Sequence, residues 1–215
     1  MKIAVVHDHL IQVGGAEKVL KSILEIWPDA PVYTLLYDEK NLGSIFPKEK
    51  IKTSWLQNFP LSLKHYQWYL PLMPSATESY DLSSYDVVLS STSAFAKGVI
   101  THPHTLHICY CHTPTRYLWS DTHQYIQGLH YPFFVKKALP VILNRLRVWD
   151  YMASQRPNFY ISNSYFVKGR ISRYYKCDST VIYPPVEMDV FSVSTDKGKY
   201  FLTGGRLVSY KRFDI

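Results

Sequence analysis

The opening forty residues limit the fold more than any other part of the chain. Lys2 to His7 is a short, β-rich apolar run that ends at Asp8 and leads into a loop carrying Gly14-Gly15. Beyond the glycines, Val19, Leu20, Ile23, Leu24 and Trp27 return at helical spacing until Pro28 stops the helix. Val32 to Tyr37 then supplies a second strand, so the order is strand, glycine turn, helix, strand. A crossover of this kind joins parallel strands. It predicts an α/β chain opening as a Rossmann-like unit, with a mostly parallel sheet and helices on both faces.

Later segments repeat the alternation. Tyr85 to Ser90, His107 to Cys111 and Phe159 to Ser162 read as strands, Tyr165 to Tyr175 as a helix, and Thr180 to Tyr183 as a strand ending in Pro184-Pro185. Pro132 to Ser154 sets apolar Leu139, Ile142, Leu143, Leu146 and Trp149 among basic Lys136, Lys137, Arg145 and Arg147, a helix that Pro140 should kink. Ile51 to Tyr80 is aromatic, broken by prolines, and fits neither the helical nor the strand period. Glu187 to Lys199 is polar and aperiodic, and Tyr200 to Thr203 starts a fresh strand running into Gly204-Gly205-Arg206. The expected organisation is a Rossmann-like domain over 1–186, a linker over 187–199, and over 200–215 the start of a second domain that is cut off at Ile215.

Composition narrows the function classes. Of 215 residues, 47% are hydrophobic and 19% charged, which excludes a disordered chain. Lysine and arginine outnumber aspartate and glutamate by 24 to 17, a surplus of +7 that suits phosphate-bearing ligands, nucleic acid or an anionic membrane surface. The basic residues are scattered and no nucleic-acid-reading motif occurs, so nucleic acid is not an expected partner. Three cysteines, Cys109, Cys111 and Cys177, argue against a secreted disulfide scaffold and for a reducing, cytoplasmic compartment. The N-terminus has only four apolar residues, Ile3 to Val6, before a histidine and an aspartate, and reads as a strand instead of a signal peptide. Gly98 to Thr115 lacks acidic and basic residues but holds four histidines and two prolines, and is no bilayer helix.

Several residues are candidates for chemistry. Gly14-Gly15, between a strand and a helix, is equally a plain tight turn or a phosphate cradle built from helix-end N–H groups. His112 follows a strand at the carboxyl edge of the sheet, where open α/β folds bind ligands, although a lone histidine there is more often structural. Arg116, four residues on, could hold an anionic group. His102, His104, His107, Cys109, Cys111 and His112 look like a metal set, but strand alternation puts His112 on the opposite face from His107, Cys109 and Cys111, and buried thiols are the default reading. Arg206 and Lys211 leave the last glycine turn five residues apart and could converge on a diphosphate, or form a solvated basic turn. The aromatic stretch Trp55 to Met73 and the basic-aromatic helix from Pro132 could meet anionic lipid headgroups, though a core helix with a solvated basic face accounts better for the latter.

Taken in order, GGAEKVL, YCHTPTRYLW, ISNSYFVKGRI, VIYPPVEMDVF and GGRLVSYKRFDI resemble the motifs of the family 4 glycosyltransferases, especially the mannosyltransferase-like members of polysaccharide and O-antigen assembly. The resemblance covers essentially the whole chain. It implies a GT-B enzyme in which two Rossmann-like domains face each other, the N-terminal one holding a lipid-linked or saccharide acceptor and the C-terminal one the nucleotide sugar. It places Gly14 and Gly15 near the donor diphosphate, His112 by the transferred sugar, Arg206 and Lys211 on the diphosphate leaving group, and Arg116 on the acceptor side. Such transfer retains anomeric configuration and uses no metal or other cofactor. GDP-mannose is the implied donor, and the inner face of the cytoplasmic membrane the implied location.

The paired glutamates of that family's donor domain do not occur within these 215 residues, so this polypeptide alone is expected to be inactive. Two other classes share part of the pattern. A saccharide- or lipid-binding module without chemistry would need only the first domain. A GT-B sugar-nucleotide epimerase would share the phosphate logic but fits GGAE and HTPTRY less well.

Overall fold

The strand that opens the chain, β1 (Ile3–His7), is buried from Ala4 onward and lies in the interior of the sheet. The computed structural model describes residues 1–129, 131–186, 188 and 198–205. These fall into two units, Met1–Pro185 and Val186–Ile215.

In the first unit β1 leads through α1 (Gly15–Ile26) to β2 (Val32–Thr34), and through α2 (Glu39–Leu42) to β3 (Ile51–Thr53). The chain then passes α3 (Met73–Glu78) and returns to the middle as β4 (Val87–Thr92) and β5 (Leu106–Cys111). Next come α4 (Arg116–Trp119), α5 (Thr122–Gly128), α6 (Phe133–Ala153), β6 (Phe159–Ser162), α7 (Tyr165–Tyr175) and β7 (Thr180–Val181). All seven strands are parallel, in the order β3-β2-β1-β4-β5-β6-β7. Connections run outward one way from β1 and the other way from β4, so the order reverses between these two neighbours. That reversal opens a crevice at their carboxyl ends.

Alternation along the strands fills both faces. Val5, Leu89 and Tyr110 pack with Val19, Leu20 and Ile23 of α1, while Cys109, Cys111 and Tyr160 pack with Val167, Ile171 and Tyr175 of α7. Helices therefore cover both sides of the sheet, as the βαβ pattern requires. The buried residues of α7 recur every four positions, and its first turn is capped by Ser164, whose hydroxyl accepts from the Val167 N–H.

Several expectations shift. β4 starts and ends two residues later than the apolar run, because Val87 pairs with Ile3 and the small polar Ser91 and Thr92 still find partners in His7 and Cys111. The last strand stops at Val181, ahead of the prolines that cannot donate to a ladder. The aperiodic stretch after Ile51 contributes edge strand β3 and two 3₁₀ segments, Trp55–Asn58 and Tyr66–Leu72, whose three-residue period matches neither template. α6 spans Phe133–Ala153 with Pro140 inside it, close to the helix read over Pro132 to Ser154. The strand expected at Tyr200 to Thr203 is not formed: among the described residues of the second unit no strand lies alongside to complete its hydrogen bonds, and Tyr200, Phe201 and Leu202 are exposed.

Candidate active site at the carboxyl edge of the sheet

His7 closes β1 and lies level with Ser91 of β4. Its Nδ1 is 3.1 Å from the Ser91 hydroxyl, which in turn is 2.8 Å from Nε2 of His112. On its other side His7 Nε2 lies 3.6 Å from Oε1 of Glu17, in the first turn of α1. A polar chain, Glu17 to His7 to Ser91 to His112, thus spans the mouth of the crevice. It links the glycine turn to the histidine after β5.

The groups differ in what the site does to them. Burial works against the Glu17 carboxylate, but hydrogen bonding and charge from His7, with the N–H groups of Glu17 and Gly14, outweigh it and hold its pKa below the usual carboxylate value. The helix-end amides are therefore already shared with a carboxylate of the chain itself. A Cβ on Gly14 would stand 2.9 Å from Glu17 Oε2, whereas one on Gly15 would meet nothing within 4 Å. Gly14 makes room for Glu17, and Gly15 is where an incoming group can approach the backbone. His112 is pushed down to about 4, first by burial and then by His7, so it is a neutral imidazole at pH 7. Its carbonyl accepts from Asn163, and its N–H donates to Thr92, which fixes the residue on the strand end.

Asp8, the next residue after β1, fastens the floor of the crevice. Its two oxygens accept from the Thr92 hydroxyl and from the backbone N–H groups of Ser93, Ala94, Phe95 and Ala96 at 2.5–3.1 Å. Burial alone would raise its pKa, but His9, His7 and these amides lower it. The carboxylate stays ionised and fully used.

Beside this chain of groups opens a cleft of about 300 Å³, lined by Asp8, His9, Tyr66, Arg116, Tyr117 and Tyr125 among others. Arg116 borders it and is ion-paired with Asp121, to which its Nε donates at 2.7 Å. Of the residues singled out from the sequence, Gly14 and His112 share one polar network, Gly15 adjoins it, and Arg116 lies on the neighbouring cleft. Arg206 and Lys211 lie outside the described residues. The histidine and cysteine set does not come together: His102 and His104 are exposed, His112 belongs to the crevice, and His107, Cys109 and Cys111 are core, where His107 hydrogen-bonds Ser90 and burial pushes the Cys109 thiol up to about 12 and Cys111 well above its ordinary value. Among the described residues no three histidine, cysteine or acidic side chains are placed to hold a metal ion.

Sequence reasoning passed over His7, Asp8, His9, Glu17 and Ser91. A signal was present, since His-Asp-His directly follows the first strand and Ser-Ser-Thr-Ser ends the fourth. Polar residues at the carboxyl ends of two adjacent central strands face the same crevice.

The fold, a parallel Rossmann-like sheet, is shared with a solved protein. Anabaena Alr3699/HepE, crystallised in complex with UDP, matches with a TM-score of 0.52 and 16% identity over 91% of this chain and 47% of that one. Structures of HepE with UDP-glucose and with UDP and glucose match over the same shares at TM-scores of 0.49 and 0.48 and identities of 15% and 16%. The chain spans about half the length of these structures, and at such identity the likeness is one of fold. No protein-family model matches the chain, and no curated protein matches it in sequence.

Proposed function

We propose that this chain forms the acceptor-side half of a retaining, nucleotide-sugar-dependent glycosyltransferase of the GT-B type. The carrying observation is the neutral His112, tied through Ser91 and His7 to Glu17 at the strand-order reversal and flanked by an aromatic cleft. The fold shared with a protein that binds UDP agrees with this reading.

Departure of a nucleoside diphosphate puts negative charge on its β-phosphate, and fixed donors that meet that charge lower the barrier. In this reading Gly15 leaves the backbone open to the diphosphate, Arg206 and Lys211 neutralise it in place of a metal, and His112 hydrogen-bonds the transferred sugar. As a neutral imidazole at pH 7, His112 can serve a sugar hydroxyl without repelling an oxocarbenium-like centre. Arg116 and the cleft it borders take the acceptor, a saccharide or a lipid-linked saccharide. The donor assigned by the family resemblance is GDP-mannose, and HepE argues for including UDP sugars in any test.

A cytoplasmic place at the inner face of a membrane follows from the same reading. Trp55, Phe59, Leu61, Leu63, Trp68 and Leu72 are all partly or largely exposed around Lys64, an amphipathic surface of the kind that rests among lipid headgroups. No helix among the described residues is long and apolar enough to cross a membrane.

The test is sugar transfer by the full-length protein from a panel of UDP and GDP sugars. His112→Ala, Arg206→Ala and Lys211→Ala are each expected to lower the rate by about 100-fold or more. Absence of donor consumption would leave a binding module, interconversion of the donor sugar without transfer would give an epimerase, and three variants matching wild type would remove the site assignment.

A further inference from the structure

A polar hollow of about 470 Å³ opens against the outer edge of the sheet and shares no residue with the crevice. β3 is the outermost strand on that side, and its Lys52 lies level with Tyr33 of β2. Lys52 Nζ donates to the Tyr33 hydroxyl at 3.1 Å and to the Tyr85 hydroxyl at 3.5 Å, and the two hydroxyls are themselves 3.1 Å apart. The chemistry above leaves this triad unused.

Its hydrogens outnumber its acceptors. The ammonium has three to donate and each phenol one, while the acceptors within the triad are the two phenol oxygens. Even with the ammonium donating to both phenols and one phenol to the other, one ammonium hydrogen and one phenol hydrogen are left over. Among the described residues no carboxylate pairs with Lys52. The hydrogen bond to Tyr33 raises the Lys52 pKa and burial raises that of Tyr33, so at pH 7 the ammonium stays charged and the phenol keeps its proton. Donors gathered around one positive charge at the mouth of an open hollow call for an anion.

The rest of the lining narrows that anion. Among the described lining residues Lys52 is the only cation and Asp81 the only acid, and Asp81 accepts from the hydroxyl and the N–H of Ser83. One cation offset by one carboxylate suits a group with a single negative charge, which is a phosphodiester and not the nearly dianionic free phosphate. Trp55 lines the hollow and packs on Phe59 at 5.3 Å between centroids, so the hollow adjoins the exposed rings around Lys64. Beside a surface that rests in the headgroup layer, the phosphodiester within reach is that of a lipid.

We propose that this hollow seats the phosphodiester of an anionic lipid headgroup, held by Lys52 Nζ and a hydroxyl of the Tyr33–Tyr85 pair. The lipid as its source rests on the membrane reading above; the choice of a phosphodiester does not.

The experiment measures binding of the whole chain to vesicles of phosphatidylcholine with and without phosphatidylglycerol. A parallel NMR titration uses glycerophosphoglycerol, the soluble diester, and inorganic phosphate. Lys52→Gln should weaken binding to phosphatidylglycerol by about tenfold or more, Lys52→Arg should recover most of it, and Tyr85→Phe, which leaves the net charge unaltered, should weaken it by about threefold or more. Lys50→Gln removes the same charge outside the hollow, where Lys50 donates to the Pro28 carbonyl, and should cost less than Lys52→Gln. The soluble diester should shift the Tyr85 resonances saturably in wild type and not in Lys52→Gln. Equal losses in Lys50→Gln and Lys52→Gln with Tyr85→Phe unaffected would reduce the effect to diffuse charge and overturn the proposal, as would tighter binding of inorganic phosphate than of the diester. Vesicle binding that no variant of the hollow alters would sink this inference and leave the membrane reading standing. A diester that shifts Tyr85 in a chain that binds no vesicle would sink the membrane reading and the lipid source with it.

Discussion

Burial treats three of the histidines alike. His107 is pushed down to about 3 and His112 to about 4, in both cases mainly by desolvation, and burial also lowers His9. An unfolded histidine titrates near about 6.5. Because the folded values are lower, the unfolded chain binds more protons as pH falls, and the stability these residues hold above about pH 6.5 is lost progressively toward pH 4. The urea midpoint should therefore decline between pH 7 and pH 5, before the carboxylates begin to titrate; a flat midpoint over that interval would contradict the buried, neutral state of these rings. His112 could be singled out from sequence because a strand visibly runs into it. His7 and Ser91 could not be paired, since 84 residues separate them and only the sheet register brings them level.

Among the elements, α6 depends on a buried ion pair. Lys97, which follows β4, and Asp150 of α6 are each only 1% exposed and lie 2.6 Å apart. Asp150 also accepts from the Thr115 hydroxyl at 2.7 Å and the Trp119 indole at 2.8 Å, and Lys97 donates to the Ala94 carbonyl. The pair ties α6 to the segment that carries Arg116. Lys97→Met should destabilise the fold by about 3–5 kcal/mol in urea unfolding, by stranding a carboxylate, and adding Asp150→Leu should recover much of the loss. A single variant as stable as wild type would deny the pair this role. The helix itself was legible from its apolar period. Asp150 was not, because a carboxylate at a helical position reads as surface until its cation, 53 residues away, is seen. The first 3₁₀ segment, Trp55–Asn58, escaped for a related reason: its turn is held by Ser54, which accepts from Leu56 N–H and donates to the Leu35 carbonyl, and not by any recurring apolar face.

For the whole molecule, the strand alternation was enough to foresee a parallel sheet with both faces covered, while its crevice emerged only from the order in which the strands assemble. The exposed rings around Lys64 make a matching prediction. Trp55 packs on Phe59 and Phe59 on Tyr69, while Trp68 stacks on His65 and stays 56% exposed. The chain should co-float with vesicles containing phosphatidylglycerol and much less with pure phosphatidylcholine, and Leu61→Ser with Trp68→Ser should cut the partitioning by roughly tenfold or more. Equal flotation of variant and wild type would assign the patch another role. The Asp8 clamp has a consequence for how such a protein can diversify. One carboxylate gathers five donors from the far side of the central seam, so the base of the hollow behaves as a keystone that tolerates no drift. Variation around the hollow then falls on its outer rim, at Tyr66, Gln67, Leu70, Thr113, Tyr117 and Tyr125, leaving the keystone unaltered beneath it.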